Sequence, residues 1–174
     1  MALQQPTNTN NLVSNRYVLS FLRLPNTQFF CQTVNLPGIN LSQVPRATPF
    51  VDIQMPGEKL IYDPLSVTFL VDEDLTAWRE IHDWMRGLGF PTGFDEYKNL
   101  NKQSKFISNP RAAQYSDATL IILDSNQLGK WRFKFRDMFP TSLAPFTMSA
   151  TLGPETILTA DVTLAFTYFD IEKI

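Results

Sequence analysis

The chain has 174 residues, of which 44% are apolar and 14 are Phe, and its formal net charge is −2. A chain of this length is the usual size of one domain and can bury a core of its own. Its weak negative charge gives the whole molecule no attraction for nucleic acid or anionic membranes, and no apolar run approaches the roughly 20 residues that a membrane-spanning helix needs. We therefore expect a single soluble domain over residues 1–174, with no membrane-spanning segment.

The first fifteen residues are rich in Gln, Asn and Thr and have almost no bulky apolar side chains. They lack the basic and apolar regions of a signal peptide, which favours synthesis in a cytoplasm. Burial of so few apolar groups is too small to offset the entropy lost on ordering the segment. The composition predicts a flexible N-terminal arm over 1–15 that stays loose until something binds it.

Four segments alternate apolar or aromatic residues with polar ones, as β-strands do. They are Arg16–Leu22, Asp63–Asp72, Lys130–Asp137 and Asp161–Asp170. Another extended run, Thr27–Asn35, follows the first segment after a turn at Leu24-Pro25-Asn26, and this arrangement predicts a β-hairpin. Apolar residues on both faces of Asp63–Asp72 predict that this strand is central in its sheet.

Two long segments interrupt the strand pattern. The first, 36–61, holds four prolines that interrupt every regular ladder, so it is predicted to be a projecting loop or an edge ribbon. The second, 89–116, mixes Gly, Pro, Asn and Lys without periodicity. It is predicted to be a long connecting loop, and loops of that length in a compact domain are usually functional.

One amphipathic helix is predicted between the second and third strands. Asp72 or Asp74 can cap its N-terminus, and Gly87 and Gly89 are predicted to end it. Its apolar residues recur at helical spacing and predict the face that packs on a sheet. These residues are Leu75, Trp78, Ile81, Met85 and Leu88.

Side chains that could perform chemistry are few. The only histidine, His82, precedes Asp83 on the helix, but consecutive helical residues point about 100° apart and do not face one another as a base and its orienting group must. The only cysteine, Cys31, lies in an extended run without a cation or helix N-terminus to lower its thiol pKa. The carboxylates of 72–74 are explained as caps and dipole partners of the helix. We therefore expect no enzymatic activity, no metal and no cofactor.

The strand Lys130–Asp137 separates charge from aromatic side chains. Its period of two places three aromatic residues on one face and four basic residues on the other. The basic residues are Lys130, Arg132, Lys134 and Arg136. Sheets that bind single-stranded nucleic acid need both kinds on the same face. Three interpretations remain: a solvated basic face over an aromatic core, an interface with an acidic neighbouring subunit, and a small module that binds an acidic protein or nucleic acid.

Five segments follow one another in a specific order and spacing. They are 31–39 (CQTVNLPGI), 62–69 (YDPLSVTF), the helix with Asp83-Trp84, 139–142 (FPTS) and 162–168 (VTLAFTY). Together they resemble the tail-tube proteins of contractile-tailed, T-even-type bacteriophages, and the resemblance covers about Tyr17–Asp170. Baseplate tube-initiating proteins and tail-terminating proteins share this fold. The connection flanked by Tyr97-Lys98 and Gln114-Tyr115 is longer than the tube pattern implies, so those two positions in the particle remain alternatives to the main tube.

The resemblance implies a mainly β (α+β) fold of two packed antiparallel β-sheets, as a sandwich or barrel, with one flanking α-helix and long loops. It implies a structural subunit of the virion tail, six copies of which form a ring, with stacked rings forming the conduit for DNA ejection. Implied partners are other copies of the chain, the tail sheath and baseplate or neck proteins, while double-stranded DNA passes through the lumen. The ribbon would reach the next ring through Arg46, Phe50 and Glu58, and the basic row of Lys130–Asp137 would contribute to a subunit interface.

Overall fold

The computed structural model describes residues 10–103, 114–149 and 157–174. Within these ranges the chain forms nine strands and three helices. In chain order they are β1 (Tyr17–Phe21), α1 (Pro25–Phe29), β2 (Cys31–Asn35), β3 (Ile39–Arg46), β4 (Ile53–Tyr62), β5 (Leu65–Leu70), α2 (Thr76–Gly89), α3 (Phe94–Gln103), β6 (Ser116–Leu123), β7 (Gly129–Leu143), β8 (Thr159–Ala165) and β9 (Tyr168–Lys173).

The long strand β7 joins two antiparallel sheets. Its N-terminal half pairs with β6 and β9, and β1 pairs with β6, which gives sheet A the order β1-β6-β7-β9. Its C-terminal part pairs with β8, and β8, β5 and β2 complete sheet B. Between the two halves Asp137 has φ 52°, and the register with β6 shifts there. The positive φ at a β-bulge bends the strand, so β7 passes from one sheet into the other.

The inner faces of the two sheets share one hydrophobic core. On β5 the residues Leu65, Val67 and Phe69 are buried and alternate with partly exposed ones. This strand pairs with β2 on one side and β8 on the other, which confirms its central position. The prediction of two packed antiparallel sheets is also confirmed. Over the described residues the strands do not close into a barrel, because β1 and β2 are the two ends of the pairing path.

The predicted hairpin of Arg16–Leu22 with Thr27–Asn35 is wrong. Its proposed turn lies at the start of α1, and β1 pairs with β6 whereas β2 pairs with β5. Proline suits the first position of a helix, where its missing N–H is not needed. The carboxylate of Glu80 on α2 accepts the backbone N–H groups of Asn26 and Thr27 at 3.2 and 3.3 Å. These donors have no partner within their own helix, so α2 stabilises α1 from outside.

The predicted single strand Asp161–Asp170 is divided into β8 and β9. Because β7 bends between the sheets, its neighbour must change sheets at the same place, and Phe166 and Thr167 lie between the two strands. The backbone N–H of Thr167 donates to the carbonyl of Arg136 at 3.0 Å. The Phe166 ring packs 5.1 Å from Phe135, measured between ring centroids. Packing of the Phe166 ring therefore favours the passage of the chain from sheet B to sheet A.

Segment 36–61 contains the two-stranded antiparallel ribbon β3–β4. The prolines do not interrupt it, contrary to expectation, since Pro45 lies in β3 and Pro56 lies in β4. Each strand of a two-stranded ribbon has one unpaired edge, where a residue without an N–H costs nothing. The register shifts between Leu41 and Gln43, which marks a bulge.

The predicted loop 89–116 contains the helix α3, and the chain has α1 and α3 in addition to the one helix expected. Gly87 does not end α2 but is buried inside it, and a Cβ there would lie 2.8 Å from Leu100 Cδ1 on α3. Glycine is therefore what lets the two helices approach so closely. An ion pair between Arg86 and Glu96 also joins them. Residues 104–113, like residues 1–9 of the predicted arm, lie outside the described ranges.

The buried face of α2 is rotated from the predicted one. Its fully buried residues are Ala77, Ile81, Trp84 and Gly87. Of the predicted set, Ile81 is buried, Trp78, Met85 and Leu88 are partly buried against the core, and Leu75 precedes the helix in the left-handed conformation. Trp84 was not predicted for this face; its indole N–H donates to the carbonyl of Gln114 at 3.1 Å.

Asp72, one of the two predicted caps, binds the first turn of α2. Its carboxylate accepts the N–H of Thr76 at 3.0 Å, the Thr76 hydroxyl, and the N–H of Ala77 at 3.3 Å. The hydrogen bond from the Thr76 hydroxyl is the main cause that lowers the pKa of Asp72, and the backbone donors add to it against the effect of burial. The ionised carboxylate is therefore the form that stabilises the fold.

We expect Asp72→Ala to lower the free energy of unfolding by about 1 kcal/mol at pH 7, as loss of a helix cap usually does. Because the folded pKa is depressed, this contribution is complete above the unfolded aspartate pKa of about 3.9 and is lost as the pH falls through the folded pKa. Urea denaturation of both proteins from pH 7 to pH 3 measures it. The exposed Asp74 provides the control, since Asp74→Ala should change stability by less than about 0.5 kcal/mol. A difference for Asp72→Ala that does not shrink with acid contradicts the assignment.

Candidate assembly surface

The ribbon β3–β4 exposes apolar side chains on both of its faces. Among the described strands, β3 and β4 pair only with each other. Seven apolar side chains on them are between 46 and 56% exposed: Ile39, Leu41, Val44, Ile53, Met55, Leu60 and Ile61. An isolated two-stranded ribbon is marginally stable in water, and contiguous apolar exposure marks interaction sites. The ribbon thus has the character of a surface that a partner covers.

The base of the ribbon is fixed to the body of the subunit. The Tyr62 ring lies 5.8 Å from Phe166 and 5.4 Å from Phe169, between ring centroids. The backbone N–H of Asp63 donates to the carbonyl of Gly38 at 3.0 Å, which joins the two ends of the ribbon. These contacts hold the ribbon to the body at the end where β3 begins and β4 ends.

The distal half combines apolar residues with charge. Val44 lies directly across from Met55, and Arg46 lies across from Ile53, so these four side chains share one face. Phe50, in the loop between the strands, is 97% exposed. All three residues expected to form inter-ring contacts, Arg46, Phe50 and Glu58, are exposed on this ribbon.

In sheets A and B, three strands have a free edge among the described residues. In sheet A, β1 pairs only with β6, and β9 pairs only with β7. In sheet B, β2 pairs only with β5. Free edges present unpaired N–H and C=O groups that can pair with another chain. Sheet A is therefore open to extension at both of its sides.

The outer face of sheet A carries alternating charges that we call the ion-pair ladder. It consists of Asp117, Arg132, Lys134, Arg136, Asp170 and Glu172. Arg136 Nη1 lies 2.6 Å from Asp117 Oδ2, and Lys134 Nζ lies 2.7 Å from Glu172 Oε1. Arg132 Nη1 lies 3.9 Å from Glu172 Oε2. In the register of β7 with β9, Asp170 is directly across from Lys134.

The ladder changes the titration of its members. The hydrogen bond from Lys134 is the main cause that lowers the pKa of Glu172, and the hydrogen bond to Asp117 is the main cause that raises the pKa of Arg136. The side chains are 31–46% exposed, so such pairs contribute little to stability. Their main consequence is that Arg132, Lys134 and Arg136, three of the four cations of β7, have acidic partners within the chain.

The four predicted cations thus differ in their surroundings. Arg132, Lys134 and Arg136 belong to the ladder, while the partly buried Lys130 lies at the start of β7. An interface with an acidic neighbouring subunit was one of three interpretations of this row and stays a prediction; within the chain, Asp117 of β6 and Glu172 of β9 lie against three of the cations. Because the predicted strand ended at Asp170, Glu172 was not expected beside the basic row of β7. Dividing that strand at Phe166–Thr167, as the fold does, would have placed Asp170 and Glu172 on one face.

His82 and Cys31 are the two residues considered for catalysis, and the position of His82 differs from expectation in one respect. His82 Nδ1 lies 3.2 Å from Asp83 Oδ1, so these neighbours on α2 do contact each other. The imidazole also stacks on the Trp78 ring one helical turn away, with 5.0 Å between centroids and 16° between planes. At Cys31, burial raises the pKa of the thiol while the hydrogen bond with Tyr17 lowers it less, so the protonated form is favoured.

Metal-ligating clusters and membrane-spanning helices are two features of the described residues that bear on function. Over 10–103, 114–149 and 157–174, no group of three or more His, Cys, Asp or Glu side chains could hold a metal ion. Within the same ranges, none of the helices is both long and apolar enough to cross a membrane.

Comparison with known proteins identifies the family. Residues 6–172 match the phage tail tube protein family. A tail tube terminator protein of Enterobacteria phage T4 is 30% identical over 182 aligned positions, which cover 99% of this chain and 94% of that protein. The fold is similar to the tube-terminating cap of the anti-feeding prophage, with a TM-score of 0.61, 16% identity and full coverage of both chains. It is also similar to a chain of the sheath/tube terminator of an extracellular contractile injection system in its extended state, with a TM-score of 0.53, 14% identity and coverage of 98% and 99%. The chain belongs to the phage tail tube protein family.

Proposed function

We propose that this chain is a tail tube terminator, a structural subunit that binds the last ring of the tail tube in a contractile-tailed phage and ends its growth. The observation that carries the proposal is the 30% identity with the T4 tail tube terminator over 99% of the chain. It favours the terminator, one of the alternatives open from sequence, over the main tube subunit. On this proposal the protein resides in the phage tail, and its partners are the tube, the sheath and neck proteins.

Six copies would form a ring by joining the free edges of sheet A. The edge strand β9 of one subunit and β1 of the next would pair, so that sheet A continues around the lumen. A closed ring of this kind leaves no free edge in the joined sheet. The inner face of sheet A is occupied by the subunit's own core, with Leu120, Phe133 and Phe135 buried there. The rest of the subunit would therefore lie outside the ring of strands.

The ribbon would bind the tube. Cyclic symmetry places all six ribbons on the same side of the ring, so the ring presents its apolar ribbons in one direction only. The exposed Arg46, Phe50 and Glu58 belong to this contact on the proposal. Ending a tube also requires that the opposite side of the ring binds no further tube ring, which the length measurement below tests.

The test uses the tube subunit of the same phage, assembling on its baseplates in solution, with the purified chain added in a ratio of about one ring per tube. We expect mean tube length, measured by negative-stain microscopy, to fall as the chain is added, and labelled chain to be found at one tube end. The chain alone should form six-fold rings and no long tubes. Long tubes of the chain alone would instead identify a main tube subunit, and faster nucleation at baseplates would identify an initiator.

A further inference from the structure

We propose that the ion-pair ladder is the surface past which the phosphate backbone of double-stranded DNA moves, and that Asp117 and Glu172 prevent the cations of β7 from holding it. The inference rests on the proposed function, because it needs sheet A to form the wall of a ring. It assigns the ladder a role that stability does not explain, since exposed ion pairs contribute little to folding.

The geometry of a ring of sheets leaves one face of sheet A for the lumen. The opposite face packs on the core, where Phe135 is fully buried and Leu120 and Phe133 are nearly so. Six four-stranded sheets joined at about 4.8 Å per strand give a circumference of about 115 Å, or about 37 Å across, and strand tilt widens it further. Such a lumen admits a DNA duplex. The ladder residues, together with Lys130 on the same face of β7, would then be charged groups that face it.

The charges of the ladder cancel. Arg132, Lys134 and Arg136 contribute three positive charges, and Asp117, Asp170 and Glu172 contribute three negative charges, so the sum is zero. Two carboxylates of the ladder are in direct contact with cations: Asp117 lies 2.6 Å from Arg136, and Glu172 lies 2.7 Å from Lys134. The cations are thus satisfied before any phosphate approaches.

Unpaired cations would have the opposite effect. Each cation that neutralises a phosphate releases counterions, and affinity for DNA rises steeply with the number of such contacts at low salt. Three free cations in each of six subunits would give a ring a strong hold on the duplex. A conduit must let DNA pass without holding it. The carboxylates on the flanking strands β6 and β9 serve this purpose, because they pair with the cations of β7.

The experiment measures binding of a fluorescent 30-base-pair duplex by anisotropy, at several salt concentrations between 50 and 200 mM. The ladder variant Asp117→Asn with Glu172→Gln removes two negative charges while keeping hydrogen-bond acceptors of the same shape. The control variant Glu73→Gln with Asp95→Asn removes two negative charges from exposed sites outside the ladder, and it frees Lys98 from its contact with Asp95. We expect the ladder variant to bind at least about tenfold more tightly than the control at 50 mM salt. The slope of log affinity against log salt should be steeper by about 2 to 3.

Equal binding by the ladder variant and the control would overturn the proposal, as would strong salt-dependent binding by the native chain. The exchanged pair Asp117→Arg with Arg136→Asp keeps an ion pair and the net charge, and it should bind no better than the native chain. Glu172→Gln alone is available should the double variant fail to fold, because it lies on an edge strand. Tube length separates this result from the proposed function: a chain that shows the ladder effect but does not end tubes leaves the terminator role refuted and the masking of the cations intact.

Discussion

Replacing Phe135 with alanine is expected to lower the free energy of unfolding by about 3–5 kcal/mol, the usual loss for a buried Phe. The Phe135 side chain is fully buried. Its ring centroid lies 5.1 Å from that of Phe166 and 5.5 Å from that of Phe169, so the substitution removes the centre of an aromatic cluster. Small proteins are stable by about 5–15 kcal/mol, and a loss of this size can leave the chain largely unfolded at 37 °C.

The position of Phe135 in β7 explains why the cavity would not close. The residue lies two positions before Asp137, where β7 bends from sheet A into sheet B. The cavity would thus open where β7 bends and where the chain passes from β8 in sheet B to β9 in sheet A. Strands held in two sheets cannot collapse into a void without losing register, so little of the lost packing is recovered.

Urea denaturation followed by tryptophan fluorescence measures this effect on the isolated chain. Phe50→Ala is the matched control, because Phe50 is the same residue type but 97% exposed. Its free energy of unfolding should change by less than about 0.5 kcal/mol. Phe135→Leu should lie between the native chain and the alanine variant. A loss below about 1.5 kcal/mol for Phe135→Ala would show that the aromatic cluster is not the joint between the sheets.

The local sequence pattern was enough to predict individual strands and the helix α2, but not which strands pair with each other. Alternation identified β5 and β7 because each buries one face, and helical spacing identified α2. Alternation says which face of a strand is buried but not which strand lies beside it. Pairing of β1 with β6 joins Tyr17 to Ile122, far apart in sequence. The predicted hairpin is wrong because both of the contacts that decide against it are distant in sequence. One is the pairing of β1 with β6, and the other is the contact of Glu80, on another helix, with the start of α1.

The same limit applies to the candidate surfaces. The basic row of β7 was predictable from its period of two, but its neutralisation was not, because Asp117 and Glu172 come from two other strands. An edge ribbon in segment 36–61 was expected from its prolines, although Pro45 and Pro56 lie inside the paired strands instead of interrupting them. The apolar pair of Val44 and Met55 was not predicted, because its prediction requires knowledge of the register between β3 and β4.

That pair provides the most direct test of how the chain binds the tube. In the variant Val44→Glu with Met55→Lys, two apolar side chains of the distal ribbon become a pair of opposite charges directly across the strands. Opposite charges across an antiparallel pair favour the ribbon itself, and the net charge is unchanged. The isolated subunit should therefore keep its stability and its ability to form rings. Only a surface that buries this face should be affected.

We expect this variant to bind tube ends at least about a hundredfold more weakly, which corresponds to about 2.7 kcal/mol. Burial of this charged pair removes both groups from water, which costs more than the apolar contact that they replace gained, and six ribbons act together in one ring. Co-sedimentation with preformed tubes and the length distribution of growing tubes measure the effect. Val44→Ile with Met55→Leu keeps the face apolar and should end tubes as the native chain does. If the charged variant ends tubes equally well, the ribbon is not the contact, and the roles proposed for Arg46, Phe50 and Glu58 fail with it, whereas the edges of sheet A remain as the surface through which subunits join.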